Sequence, residues 1–232
     1  YGTVYLMPLF LGEVRGLSAM QIGVIMSAGG LGMFVGGPLA GALIRRTDPR
    51  YVLVVGLAMT AAGLYWNHFL TAESGFEQLF WPQFLRGAGI IVSMVPVNFL
   101  ALGTLAPAQL PNAAGLITVC RNLGGALGLA LLNTLRLRYD ALHRQELGAE
   151  MNPARPEVRD WLAATAARLA QQGEADPQAA ALAMLARRLQ TEATVMTFAN
   201  LFLVMALCFA AMLLLAPLTR RPPPRPQPAD VH

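Results

Sequence analysis

The chain has 232 residues, of which 55% are hydrophobic and only 13% are charged. A water-soluble domain carries about 25% charged residues, and half that charge cannot cover a globule of this size in water. The composition excludes an ordinary soluble enzyme, a disordered tail and a disulfide scaffold, and it leaves an all-α, polytopic membrane bundle. The net charge is +4, and all 17 basic residues are arginine. In so apolar a chain that excess reads as membrane topology. No basic stretch interleaved with aromatics points to RNA or DNA, so no nucleic-acid partner is expected. Cys120 and Cys208 fall in apolar segments and read as small buried apolar residues. No spaced Cys or His set suggests a metal, and no cofactor is expected.

The apolar run is already under way at Tyr1, with no initiator Met and no charged leader before it. The expectation is a chain that begins inside a longer protein. A bilayer-spanning helix needs about 20 largely apolar residues. The first candidate, Tyr1 to Gly12, reads as the back end of a truncated span. Five more follow at Ser18 to Ile44, Tyr51 to Leu70, Leu79 to Leu102, Ala113 to Leu135 and Ala193 to Leu218. The predicted organisation is five membrane helices over 1–135, an external loop over 136–192, a sixth span over 193–218 and a tail over 219–232.

The loop holds eight Arg and eight acids, which is too polar for the bilayer. Pro153, Pro156, Gly173 and Pro177 punctuate it, and 158–172 and 178–192 between them have helical spacing. A helical hairpin outside the membrane is predicted. The tail carries five Pro and three Arg, which forbid a helix. Arginine placement sets the orientation. The 45–50 connection has Arg45, Arg46 and Arg50 against Asp48, whereas the 71–78 connection has only Glu73 and Glu77. The first is therefore predicted to be cytoplasmic, with the tail, and the long loop external.

The second span carries Gly32 and Gly36, and Gly37 and Gly41, each pair four apart. That spacing lets helix backbones approach closely, so these are predicted packing glycines, with Gly124, Gly125 and Gly128 in the fifth span. Gly30 and Gly32 do not form a phosphate cradle, because Val35 stands where a third glycine is needed. Arg86 lies about 9 Å into the fourth span, from which a long side chain can snorkel to the outer interface. Arg121 lies about 12 Å into the fifth, near the middle of the hydrocarbon. A charge there costs roughly 2.5–3.5 kcal/mol, so Arg121 should face the bundle interior or a wet cavity, with a partner. Asn98, Asn122 and Gln83 are the candidates. No Ser/His/Asp or Cys/His set and no paired carboxylates suit catalysis, so an enzyme is not expected.

Three stretches carry a resemblance. YGTVYLMPLFLGEVRGLSAMQIGVIMSAGGLGMFVGGPLAG at 1–41 resembles the ninth and tenth helices of the fourteen-helix drug:proton antiporters of the major facilitator superfamily. CRNLGGALG at 120–128 resembles that family's Arg-Asn-Leu-Gly-Gly-Ser-x-Gly signature, and EATVMTFANLF at 192–202 resembles the approach to its last helix. Within the family the chain looks most like the C-terminal half of the inner-membrane pumps of EmrAB-TolC-type systems.

The resemblance implies proton-driven export of hydrophobic or amphipathic compounds across the bacterial inner membrane. It also implies a periplasmic adaptor near the external loop, an outer-membrane channel and eight further helices ahead of this chain. Arg121, Asn122, Asn98 and Arg86 are then the expected substrate and proton path, and Arg45, Arg46, Asp48 and Arg50 the cytoplasmic gate loop. Two departures stand out. Arg45 and Asp48 replace the Asp and Gly of the family's loop motif, and Asn200 stands where an Asp is expected. They motivate a rival reading, a truncated or degenerate membrane module without transport activity.

Overall fold

The computed structural model describes residues 1–103, 105–151 and 155–216. The tail predicted over 219–232, the end of the sixth span and Pro153 lie outside the described residues. Seven α-helices account for nearly all of the rest: α1 (Gly2–Glu13), α2 (Ala19–Arg46), α3 (Pro49–Asn67), α4 (Phe76–Leu102), α5 (Leu110–Glu150), α6 (Pro156–Gln171) and α7 (Pro177–Leu215). The fold among the described residues is all-helical. Starts are written in the sequence. Ser18 and Gln21 form a reciprocal capping box on α2. Asp48 and Asp176 cap α3 and α7, each followed by a proline at the first helical position. Gly173 ends α6 at φ 84°, a left-handed conformation that glycine adopts without steric cost.

Four of these helices, α2, α4, α5 and α7, are long and apolar enough to cross a membrane. The six predicted spans are therefore not all matched. α1 has only 12 residues, and the 19 residues of α3 include Arg50, Trp66 and Asn67. The membrane boundaries expected at 135/136 and 192/193 fall inside continuous helices, since α5 and α7 run straight through them. Polarity changes there, but helix propensity does not. Arg, Leu, Glu and Gln are good helix formers, and neither Gly nor Pro interrupts α5 between Gly128 and Gly148. With 41 and 39 residues, α5 and α7 are each about 60 Å long at 1.5 Å per residue. That is about twice the hydrocarbon thickness, so both project well beyond it, and α6 packs against the projecting part of α7.

α4 is the centre of the bundle, wedged between α2 and α3. The helices approach to backbone contact. A Cβ on Gly32 of α2 would strike the Phe84 carbonyl oxygen and stand 2.9 Å from the Ala88 nitrogen, and one on Gly87 of α4 would strike the Gly29 carbonyl. On the opposite side a Cβ on Gly63 of α3 would lie 2.9 Å from both the Arg86 nitrogen and the Pro82 oxygen. One on Gly89 would lie 2.5 Å from the Thr60 hydroxyl oxygen.

The packing stripe of α2 is thus Gly29, Gly32 and Gly36. Gly37 and Gly41, predicted to pack, face open space, since Gly37 lies about 100° around the helix from Gly36. Gly124 and Gly128 are open as well, while Gly125 lies under the Tyr1 ring.

Around this wedge the buried apolar residues gather. Leu6, Phe10, Phe198, Leu201 and Phe202 are almost fully buried where α1 and α7 meet, and Phe10 stands edge-on to Phe198 at 5.5 Å. A smaller cluster of Ala40, Val52 and Val92 joins the other ends of α2, α3 and α4. Outward faces are also apolar, with Leu116, Val119, Leu123, Leu127 and Leu131 exposed along α5. Cys120 and Cys208 are free and exposed on such faces, not buried as expected.

Gly32→Val should force α2 from α4. Overpacking costs about 1–3 kcal/mol, read as a lower unfolding temperature in detergent, whereas Gly37→Ala should leave it unchanged. Equal effects of the two substitutions would contradict the packing described.

Candidate functional site

Gln83 and Arg86 lie one turn apart on α4 and face into the bundle, fully buried and 2% exposed respectively. Arg86 Nε donates to Gln83 Oε1 at 3.0 Å, and Nη1 donates to the Thr3 hydroxyl oxygen of α1, also at 3.0 Å. Nη2 lies beside Gly29, where a Cβ would be 3.1 Å away. Gln83 in turn points its amide at Asn67 Oδ1 of α3, 3.5 Å off, and Asn67 Nδ2 has no partner among the described residues. Side chains of α1, α3 and α4 and the backbone of α2 thus gather around one guanidinium, and no carboxylate joins its network among the described residues. The expected snorkelling of Arg86 is corrected by this geometry. Gly29 and Gly63 leave the space that its side chain fills, and buried dipoles take its hydrogen bonds.

Thr3 also borders a cavity of about 490 Å³ between α1, α4, α5 and α7. Its wall is mostly apolar, with Met94, Val97, Leu132 and Phe209, and it carries Asn98 and Arg121. Two of the four residues predicted for the substrate and proton path thus line the same cavity. Arg121 is exposed at this cavity, and its guanidinium makes no hydrogen bond or ion pair among the described residues. Of its three expected partners, Gln83 serves Arg86, and Asn122 Oδ1 accepts from the Tyr1 hydroxyl at 2.9 Å. Asn98 shares the cavity with Arg121 without bonding to it. The residues expected to form a gate loop lie apart from this cavity. Arg45 and Arg46 end α2 and are exposed, and Asp48 accepts from the Arg50 backbone N–H at 3.1 Å.

The structure adds Thr3 and Asn67, which the sequence did not single out, and it gives partners to His68 and Asn200. Thr3 and Asn67 are unremarkable hydroxyl and amide positions until the helices bring them to Arg86. His68 Nδ1–H donates to the Ala199 carbonyl at 2.9 Å, tying α3 to α7. Asn200, noted for replacing an Asp, donates from Nδ2 to His143 Nε2 at 2.9 Å. No local pattern signals that pair, because its members are 57 residues apart.

Comparison with known proteins places the sequence in a family. The pattern of the Major Facilitator Superfamily matches residues 1–129. The chain is 32% identical over 207 residues to the colistin resistance protein EmrB of Acinetobacter baumannii, covering 89% of this chain and 40% of that protein. It is 27% identical over 161 residues to the multidrug export protein EmrB of Escherichia coli, covering 68% and 31%. It is 28% identical over 177 residues to the fatty acid resistance protein FarB of Neisseria gonorrhoeae, covering 76% and 34%. The chain thus spans two fifths or less of the length of each of these relatives.

Thr3→Val should remove the acceptor for Arg86 Nη1 and cost about 1–3 kcal/mol of stability. Thr118→Val, on an exposed face and bonded only to its own helix, should cost far less. Equal unfolding temperatures for the two variants would contradict a guanidinium held by Thr3.

Proposed function

The chain belongs to the Major Facilitator Superfamily, and from that membership we propose that it is the C-terminal half of a proton-coupled exporter of hydrophobic or amphipathic compounds. The observation that carries this reading is the 490 Å³ cavity, apolar over most of its wall and holding Arg121 and Asn98. A site of that kind binds apolar molecules by area and orients them with a few polar groups. The activities for which the relatives are named, multidrug export and resistance to colistin and fatty acids, support the same substrate class. Those relatives are transporters, and the bundle is that of an integral membrane protein.

In the proposed mechanism two bundles rock about a site near the bilayer midplane, and this chain supplies one of its walls. The unpartnered guanidinium of Arg121 and the amide of Asn98 meet the polar part of the substrate or the carboxylate of a proton-carrying group on the opposite bundle. Arg86 acts one layer back, fixing Thr3 at the cavity edge. The open glycines Gly124 and Gly128, which line the cavity, leave room for substrate. Arg45, Arg46, Asp48 and Arg50 form the gate loop on the cytoplasmic side.

The proposed membrane is the bacterial inner membrane, with the projecting parts of α5 and α7 and all of α6 on the periplasmic side. There they would meet an adaptor that leads to an outer-membrane channel. Arginine asymmetry supports this orientation, since the 45–50 connection is basic and the 71–78 connection acidic.

In the whole native protein, Arg121→Ala and Asn98→Ala should each lower dye efflux into everted vesicles under a proton gradient. A loss of about tenfold is expected for removing a charge-assisted contact, with protein abundance unchanged. Arg121→Lys should retain part of the activity. Undiminished efflux in Arg121→Ala would overturn the assignment.

A further inference from the structure

A second cavity, about 560 Å³, lies outside the one just described. It sits where α1 ends and where α5 and α7 pass from apolar to polar sequence. Glu13, Arg136, Asp140, Arg144 and Arg187 line it, so three guanidiniums face two carboxylates and the wall carries one excess positive charge. Both acids are engaged. Arg136 Nη2 donates to Glu13 Oε1 at 2.7 Å, and Arg144 Nε pairs with Asp140 at 2.9 Å. Arg187 pairs with no acid among the described residues.

The threonine hydroxyls of this wall offer an incoming ligand only oxygen lone pairs, so any donors to it come from the other side chains. Thr191, Thr194 and Thr197 each donate their hydroxyl proton to a carbonyl of their own helix, at 3.0, 2.7 and 2.8 Å. The N–H groups left to face the cavity are therefore those of Arg187 and the Gln190 amide, with the unused N–H groups of Arg136 and Arg144. A cation would meet three arginines there. An oxyanion, which only accepts, would meet guanidiniums already positioned. Glu13 holds Arg136 from one side, and the Phe198 ring lies below it at 5.6 Å.

We propose that the cleft between α1, α5 and α7 is an oxyanion-binding site, taking a phosphate or carboxylate group on Arg187, Arg144 and Arg136. The site is distinct from the export cavity and does not depend on which side of the membrane it faces. Its acids act as internal competitors: Glu13 and Asp140 hold two of the three arginines until an anion arrives. This gives the two kinds of substitution opposite signs. Removing Arg187 should weaken anion binding, and neutralising Glu13 should strengthen it by releasing Arg136.

The test is calorimetric titration of the whole native protein in a neutral maltoside detergent, with inorganic phosphate and, separately, with dodecyl phosphate below its micellar concentration. Saturable binding is expected, weakened about tenfold by Arg187→Ala, partly restored in Arg187→Lys and tightened by Glu13→Gln. Asp140→Asn, which leaves the Glu13 contact intact, should tighten it too. Tighter binding of dodecyl phosphate supports the site as one for an amphiphile head group. Equal binding of the two supports it as one for a free oxyanion. Absence of saturable binding by either probe, unchanged affinity in Arg187→Ala, or weaker binding in both acid variants would overturn the proposal.

Discussion

The bundle depends on backbone contact along α4. Helices inside a membrane gain little from burying apolar groups against one another, because lipid is as apolar as leucine. What holds them is close packing, and here it is close enough that glycine is required. Gly29, Gly32 and Gly36 of α2 meet one side of α4, and Gly63 of α3 meets the other, while Gly87 and Gly89 answer from α4 itself. Everything else is arranged around that three-helix wedge. α7 packs on α3 and α5, and α1 fills the space between α2, α5 and α7.

The same wedge explains how a buried arginine is tolerated. A charge in hydrocarbon is costly unless its hydrogen bonds are satisfied. Arg86 is satisfied by Gln83 and Thr3, in space left by the glycines of its neighbours. Arg121 presents the opposite case, a guanidinium at a cavity wall with no protein partner among the described residues. One arginine is structural glue between four helices. The other is available to whatever enters the cavity, and this division of labour is the basis of the functional proposal.

Much of the fold was legible in the sequence, because apolar runs and caps are local signals. Ser18, Asp48 and Asp176 mark helix starts by chemistry that needs no tertiary contact. What was not legible is rotation about the helix axis. Depth along a span suggested that Arg86 reaches the interface, and the structure buries it; Arg121 does face a cavity, as its depth allowed, but without the partner expected there. α4 lies in the middle of the bundle and α5 at its edge, and no periodicity in an all-apolar helix reports which. Gly37 and Gly41 were chosen over Gly29 for the same reason: the four-residue spacing was visible but its phase was not. That α5 and α7 run unbroken past 135 and across 192 was not legible, because hydropathy falls there while helix propensity does not. Asn98 and Arg121 did fall on one cavity wall, since both were chosen for polarity inside apolar spans, the one signal that survives without knowing rotation.

The central claim is that the cavity holding Arg121 and Asn98 is open to water and takes the exported compound. Gly128 lines it, and a side chain there would meet nothing within 4 Å. The direct measurement is labelling of Gly128→Cys by a membrane-impermeant maleimide, in the whole native protein with Cys120 and Cys208 replaced by Ser. The account predicts that the cysteine is labelled and that an exported dye slows the labelling. A cysteine that stays unlabelled under every condition, or is labelled equally fast with and without dye, would contradict it.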